Sequence, residues 1–198
     1  MPKHDFALVG GDPVLDFLNT LHDWTVPDPR DHLADFSDAL RFGEAAGLLS
    51  RAEARRLRTG PGQQELVRLR EARAELERIF RAVATGKVPP PEALVRLAGR
   101  SAGAARGARL RAVGGRIVRA IEMEAAGAAI LRWRITDAAV ALLTSSRLAR
   151  LGSCPSCGWF FLDLTKNGSR RWCSMAMCGN IAKARSYYKR IRRRGKIG

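Results

Sequence analysis

Four cysteines near the end of the sequence have the spacing of a metal site. Cys154 and Cys157 are separated by two residues, Cys173 and Cys178 by four, and fifteen residues lie between the two pairs. Zn²⁺ takes four tetrahedral ligands and binds thiolate sulfur at about 2.3 Å. Two close pairs of cysteines at this separation therefore predict one structural Zn²⁺, with all four cysteines as its ligands.

The spacing alone leaves two other uses of these cysteines open. Two disulfides would need an oxidising compartment, and residues 1–10 lack the basic flank and the long apolar stretch of a secretory signal. A redox pair would need only one Cys-x-x-Cys motif. Four thiolates also close the zinc shell, whereas a catalytic zinc keeps one position open, and His4, His22 and His32 all lie far from the cysteines in the sequence. We therefore expect a structural metal and a protein that is not an enzyme.

The charge of the chain is large and unevenly distributed. The 198 residues carry a formal net charge of +16, with 46% hydrophobic residues, enough for one domain and a small appendage. Residues 1–45 hold three basic and nine acidic groups, whereas residues 147–198 hold thirteen basic groups and one acid. This asymmetry favours a polyanionic partner for the C-terminal end; a general enrichment in arginine is the alternative. No run of about 18 apolar residues is present, so we expect a cytoplasmic protein, associated with the nucleoid if it binds DNA.

The sequence around the cysteines predicts a small module built on the metal. Residues 159–164 are rich in aromatic and aliphatic side chains, residues 166–169 contain an Asn-Gly turn, and residues 170–172 lead back to Cys173. This pattern predicts a β-hairpin. Residues 181–194 then favour a helix. A knuckle, a hairpin and a helix together predict a treble-clef-like zinc module.

The predicted C-terminal helix is strongly basic. Ile181, Ala184, Tyr188 and Ile191 follow a helical spacing, which predicts that this face packs on the zinc module while the basic side chains face outward. Such a stripe suits phosphate contacts, and arginine can also bind guanine in the major groove; a solvated basic face is the alternative. The candidate nucleic-acid contacts in this helix and just before it are Lys183, Arg185, Lys189, Arg190, Arg192, Arg193, Arg194, Arg170 and Arg171.

Several motifs of the sequence resemble a bacterial protein family. The stretch Cys154-Pro155-Ser156-Cys157-Gly158-Trp159, residues 169–175 and Cys178-Gly179-Asn180 look like the CGNR zinc finger, and Leu15-Asp16-Phe17-Leu18-Asn19-Thr20 resembles the opening motif of the ABATE domain. The resemblance implies a stress-linked, DNA-binding transcriptional regulator with an N-terminal sensory or interaction domain. Ile181 stands where the family motif ends in arginine, so we do not expect this residue itself to contact DNA.

The N-terminal part is predicted to be mainly helical with one small β-hairpin. We place an ABATE-like domain at residues 1–149 and the zinc finger at residues 150–198. The first expected helix runs from Asp12-Pro13 to near Trp24, and the second is capped by Asp31 and ends near Ala46. The capping box Ser50–Glu53 opens a short third helix. Further helices are expected over residues 63–84, 91–98 and 125–148, with a flexible stretch at 99–107 and a hairpin over 110–121.

A polar set near the N-terminus is a candidate ligand or structural site. Asp16 and Asn19 are predicted to share a helical face with His22 close by, which would suit acid–base chemistry, a ligand or simply structural hydrogen bonds. The structural interpretation is favoured, because the sequence has no phosphate loop or nucleophile motif beside them.

Three hypotheses for the function follow from the sequence. The first is a DNA-binding transcriptional regulator, in which a homodimer would compensate for one short recognition helix and a small-molecule effector would act on the N-terminal domain. The second is an RNA-binding or ribosome-associated zinc protein. The third is an enzyme whose site lies around Asp16, Asn19 and His22.

Overall fold

The computed structural model describes residues 6–60 and 62–194 of the chain. Within these ranges the chain is mostly helical, which confirms the mainly α class. The α-helices are α1 (Pro13–Leu18), α2 (Phe36–Ala45), α3 (Arg51–Leu57), α4 (Gln63–Ala84), α5 (Pro91–Arg106), α6 (Met123–Ala126), α7 (Ile130–Leu143) and α8 (Asn180–Arg194), with 3₁₀ turns at Gly127–Ala129 and Ser146–Arg150 and a π-turn at Met175–Gly179.

Two small antiparallel sheets complete the described fold. Strands β1 (Ala108–Val113) and β2 (Arg116–Ile121) form the predicted hairpin around Gly114-Gly115. The second sheet pairs β3 (Leu151–Ser153) with β4 (Phe160–Leu162), so these strands lie on either side of the first cysteine pair. The hairpin that we expected between residues 159–164 and 170–172 is therefore wrong, because β4 pairs with the segment before the cysteines.

The short helix α1 lies at the centre of the N-terminal part, hereafter the head. Asp12 caps it by accepting a hydrogen bond from the Val14 N–H, and Pro13 occupies its first turn, as predicted. The side chains of Val14, Leu15, Phe17 and Leu18 are fully buried, and the helix packs against α4, α7 and β4. A six-residue helix gains little from its own hydrogen bonds, so this packing is what stabilises it.

Four elements in the head differ from the sequence prediction. Helix α1 ends at Leu18 rather than near Trp24, because the chain beyond it turns to form a bridge between Leu21 and Asp31. Asp31 does not cap a helix; α2 starts later, after Asp35. The stretch 99–107, expected to be flexible, continues α5 to Arg106, and the helix predicted over 125–148 is divided into α6, α7 and 3₁₀ turns.

Other helix boundaries are confirmed. The capping box forms as predicted: the Ser50 hydroxyl accepts from the Glu53 N–H, and the Glu53 carboxylate accepts from the Ser50 N–H. Helix α4 spans Gln63–Ala84, as its apolar periodicity indicated. No helix within the described residues combines the length and the apolar character needed to cross a membrane.

A four-cysteine metal centre and the basic helix beside it

The first cysteine pair lies in a tight turn between β3 and β4. The Gly158 N–H donates to the Cys154 carbonyl and the Cys154 N–H donates to the Trp159 carbonyl, both at 2.8 Å. Gly158 has φ +74°, and a Cβ there would meet the Trp24 Cβ at 2.9 Å. Glycine is required on both counts.

The second pair is placed by the π-turn that leads into α8. Cys178 lies inside this turn, and the Gly179 N–H donates to the Ser174 carbonyl at 3.1 Å. A Cβ at Gly179 would lie 2.6 Å from the Met175 Sδ, so glycine lets the turn close over this side chain. Cys178 is thus brought to the metal centre at the start of the basic helix.

The four sulfur atoms form a cluster of the size that zinc requires. All four Sγ atoms lie within 4.8 Å of one another, and those of Cys157 and Cys173 are 3.6 Å apart. Tetrahedral Zn–S bonds of about 2.3 Å place neighbouring sulfurs about 3.8 Å apart. The donor set and its dimensions fit one structural Zn²⁺, as the sequence predicted.

The thiols also show why a metal belongs at this centre. The side-chain hydrogen bond to Cys173, together with burial, raises the pKa of Cys157 well above its usual value. Burial likewise raises the pKa of Cys178, to about 11. At Cys154 burial is outweighed by backbone N–H donors, and the pKa is lowered. Since four thiolates repel one another without a cation, Zn²⁺ supplies the charge that permits their deprotonation.

The zinc module is joined to the head by buried polar contacts. The Asn19 side chain donates to the Phe160 carbonyl at 2.9 Å and accepts from the Phe160 N–H at 2.8 Å. The Trp159 indole N–H donates to the Leu21 carbonyl at 2.7 Å. From α4, the Arg81 guanidinium donates to the Ser153 hydroxyl at 2.6 Å and stacks on the Phe160 ring. The head and the zinc module therefore share one packed interface.

Two of the arginines predicted to bind nucleic acid lie just before Cys173, and their surroundings differ. The Arg170 guanidinium donates to the carbonyls of Val9, Leu162 and Cys173 and stacks on the Phe161 ring. Arg170 thus links the head to the zinc module, contrary to its expected role at the surface. Arg171 is exposed and lies over the Trp172 ring, where it is available to a partner.

The described side chains of α8 are exposed except for Ala182, which is partly buried, unlike the prediction. Ile181, Tyr188 and Ile191, expected to pack on the module, are 49%, 65% and 48% exposed. The aromatic side chains of the module pack instead against the cysteines and the head. Lys183 and Arg185 are exposed as expected. The side chains of Lys189, Arg190, Arg192, Arg193 and Arg194 lie outside the described part of the chain.

An open groove of about 910 Å³ runs between α8 and the segment before Cys173. Arg171 and Trp172 form one side of it, and Lys183, Tyr187 and Tyr188 form the other. The rings of the two tyrosines meet edge to face at 5.9 Å. Cationic and aromatic side chains are thereby combined on one accessible surface.

The structure brings the predicted polar set of the head together at a cavity rather than on one face of a helix. Asp16, Asn19 and His22 line one cavity of about 290 Å³ between the head and the zinc module. Asp16 is on α1, Asn19 follows its end, and the His22 N–H donates to the Arg30 carbonyl at 2.9 Å, which brings residues 22 and 30 side by side. Sequence spacing could not identify the other residues that line this cavity, namely Phe6, Ala7, Thr20, Arg30, His32, Trp159 and Met177.

Asp16, the carboxyl among the residues named above for this cavity, has a raised pKa. Burial raises its pKa to about 6, opposed by the N–H of Gly10, which donates to it at 2.7 Å, and by Arg170, whereas nearby Asp12 adds to the rise. A buried carboxyl with such a pKa indicates either a structural role or a binding site.

The segment around the metal centre and the head each match a sequence model of a known family. A sequence model of the CGNR zinc finger matches residues 150–191, the segment that carries all four cysteines. The model of the ABATE family, described as "Putative stress-induced transcription regulator", matches residues 11–146, which is more than half of the chain. This chain belongs to the ABATE family. The search of curated proteins returned no match.

The family assignment and the site geometry agree at the metal centre. The CGNR segment includes β3, β4, all four thiols and α8 as far as residue 191. The ABATE segment includes Asn19 and Arg81, whose side chains form hydrogen bonds to β4 and β3 of the zinc finger. In this ABATE protein the finger motif reads Cys178-Gly179-Asn180-Ile181. The glycine has the packing role described above, whereas Ile181 replaces the arginine of the naming motif and points into open surroundings.

Proposed function

We propose that this protein is a DNA-binding transcription regulator in which α8 is the main contact with DNA. The observation that carries the proposal is the position of α8: it is basic, most of its described side chains are exposed, and its start follows directly on the turn that holds Cys178. An α-helix of this kind fits the major groove of B-DNA. The zinc would then fix the start of α8, and the head would be the domain on which the zinc module packs.

The distribution of ion pairs favours a polyanion over a general enrichment in arginine. In the head, most arginines are paired with acids of the head itself: Arg73 binds Asp31, and Arg134 binds Glu53. Lys183 and Arg185 of α8, by contrast, have no carboxylate partner among the described residues. Basic groups that the protein leaves unpaired on one element are the expected footprint of phosphate binding.

Reversing two charges of α8 tests the proposal. The double variant Lys183→Glu, Arg185→Glu is expected to bind duplex DNA at least about tenfold more weakly, and the slope of log affinity against log salt should fall by about two, since each phosphate contact contributes about one. Fluorescence anisotropy with random duplexes and with genomic fragments, at several salt concentrations, measures both quantities.

A matched variant distinguishes the surface from the total charge. Arg55→Glu, Lys87→Glu changes the net charge by the same amount on exposed residues of the head. It should leave the salt slope nearly unchanged, because long-range charge is screened within about 10 Å at 0.1 M salt. Equal losses in both double variants would show that α8 is not the contact surface.

Restoring the family arginine should strengthen binding. Ile181→Arg places a guanidinium at the start of α8, at a position that is about half-exposed. We expect the salt slope to rise by about one and the affinity for duplex DNA to increase. Ile181→Gln is the control of similar size without charge. An arginine variant with the affinity of the glutamine variant would place residue 181 outside the DNA interface.

One observation favours RNA as a second candidate. Tyr187 and Tyr188 are 56% and 65% exposed and share a groove with Trp172. Exposed aromatic rings stack on unpaired bases, which is a common mode of RNA recognition. Competition with structured RNA separates the candidates: an RNA regulator would release duplex DNA at low concentrations of RNA, whereas a DNA regulator would retain its preferred fragments.

We propose binding rather than catalysis for the metal centre. Four thiolates occupy the tetrahedral positions of zinc, so no position is left for water or a substrate. The stress-linked role and a place at the nucleoid follow from the family description and from DNA binding. Deleting the gene and comparing transcripts before and after stress tests that part, since a regulator predicts a defined set of changed genes.

A further inference from the structure

The cavity between the head and the zinc module has no part in the proposed contact with nucleic acid. It measures about 290 Å³, close to the lower end of the volumes that hold small molecules. Its walls come from both parts of the protein. Asp16 and His22 belong to the head, whereas Trp159 and Met177 belong to the zinc module.

The polar end of the cavity is a buried acid that backbone N–H groups hold in place. Asp16 is only 8% exposed, and its Oδ1 accepts from the Gly10 N–H at 2.7 Å. Arg170 lies close enough to lower its pKa, but no lysine or arginine among the described residues forms a salt bridge with it, whereas Asp31, Glu53 and Glu65 of the head all have arginine partners. An unpaired buried carboxylate is costly, and a cation that enters the cavity would offset the cost.

Part of the remaining wall is apolar and aromatic. Phe6, Trp159 and Met177 line the cavity, and the His22 ring meets the Trp159 ring edge to face at 6.0 Å. Aromatic faces attract cations as well as apolar groups, which adds to the effect of the acid. The combination selects for a small molecule that has one positive group and a flat apolar body.

We propose that this cavity binds a small organic amine, with its ammonium group on Asp16 and its apolar body against Trp159, Phe6 and Met177. Asp12 also lies close to Asp16, but its own carboxylate is paired with Arg147, so Asp16 carries the charge that would bind the ammonium group. Arg30, His22 and His32 also line the cavity and would favour an anion instead. Arg30 is exposed on a loop, whereas Asp16 is buried and fixed by a backbone hydrogen bond, so the acid determines the preference.

Three molecules with the same phenyl body test this preference on the zinc-loaded full chain. Isothermal titration calorimetry should show saturable binding of phenethylamine, with a dissociation constant of about 1 mM or lower, as expected for a ligand of its size. The neutral 2-phenylethanol and the anionic 3-phenylpropanoate should bind at least about tenfold more weakly. Tighter binding of the anion, or no saturable binding of the amine up to about 10 mM, would overturn the proposal.

Two variants and a control locate the binding. Asp16→Asn keeps an acceptor for the Gly10 N–H but removes the charge, and it should lower the affinity for phenethylamine at least about tenfold. Ala7→Phe leaves Asp16 intact and adds a ring at an exposed position of the cavity wall, so it should also weaken binding even if the first variant folds poorly. Asp28→Asn, at an exposed loop position, should bind like the unaltered protein. Unchanged affinity in either cavity variant would place the amine elsewhere. None of these measurements involves nucleic acid, so the two proposals fail independently.

Discussion

Replacing Cys154 with serine is expected to destabilise the head as well as the zinc module. The variant should lose bound zinc, and the melting temperature of the helical signal should fall by about 10 °C or more. The effect reaches the head because the turn that holds Cys154 also positions β4, the strand that the zinc module contributes to the common core.

The size of the effect follows from what β4 buries. Phe160 and Leu162 are fully buried within the same apolar cluster as α1, α4 and α7. Removing a large apolar side chain from a core costs about 3–5 kcal/mol, and about 1 kcal/mol corresponds to 2–4 °C in a chain of this size. Without zinc, the cysteine turn no longer holds β4 against the head, and both side chains lose their packing.

Metal analysis together with circular dichroism melts measures this prediction. Pro155→Ala alters an exposed residue of the same turn and keeps all four ligands, so it should retain one zinc and melt near the unaltered protein. Chelation of the unaltered protein should reproduce the serine variant, and added zinc should reverse it. A zinc-free chain that melts at an unchanged temperature would show that the head is stable without β4.

The elements that the sequence predicted are those determined by local chemistry. The zinc ligands follow from residue type and spacing, and they cluster as expected. The cap at Asp12 and the capping box at Ser50 and Glu53 depend on residues that are close in sequence, and both form. Helix α4 is long and periodic, so its apolar stripe was sufficient to define it.

The elements that the sequence did not predict depend on contacts between distant segments. Strand β3 has only three residues and no alternating pattern, so its pairing with β4 could not be recognised. Sequence periodicity gave α8 an apolar face, but it could not show that Ile181, Tyr188 and Ile191 would remain exposed. The cavity around Asp16 is similar: its acid and one histidine were candidates, whereas Trp159 and Met177 reach it only through the docking of the zinc module.

The contact that docks the module most directly is the side chain of Asn19. It is 3% exposed and satisfies both backbone groups of Phe160, 141 residues away in the sequence. Asn19→Ala removes both hydrogen bonds at once and leaves a buried N–H and a buried carbonyl without partners. Each unsatisfied group costs about 1–3 kcal/mol, so we expect a loss of about 2–6 kcal/mol in the free energy of unfolding.

Urea unfolding curves of three variants measure this contribution. Asn19→Asp should be nearly as unstable as Asn19→Ala, because a carboxylate accepts from the Phe160 N–H but cannot donate to its carbonyl. Asn167→Ala, in an exposed turn, is the matched control and should unfold like the unaltered protein. All three should keep one zinc, since the four cysteines are unchanged, which separates this effect from that of the serine variant. A stable Asn19→Ala would show that apolar packing alone joins the head to the zinc module.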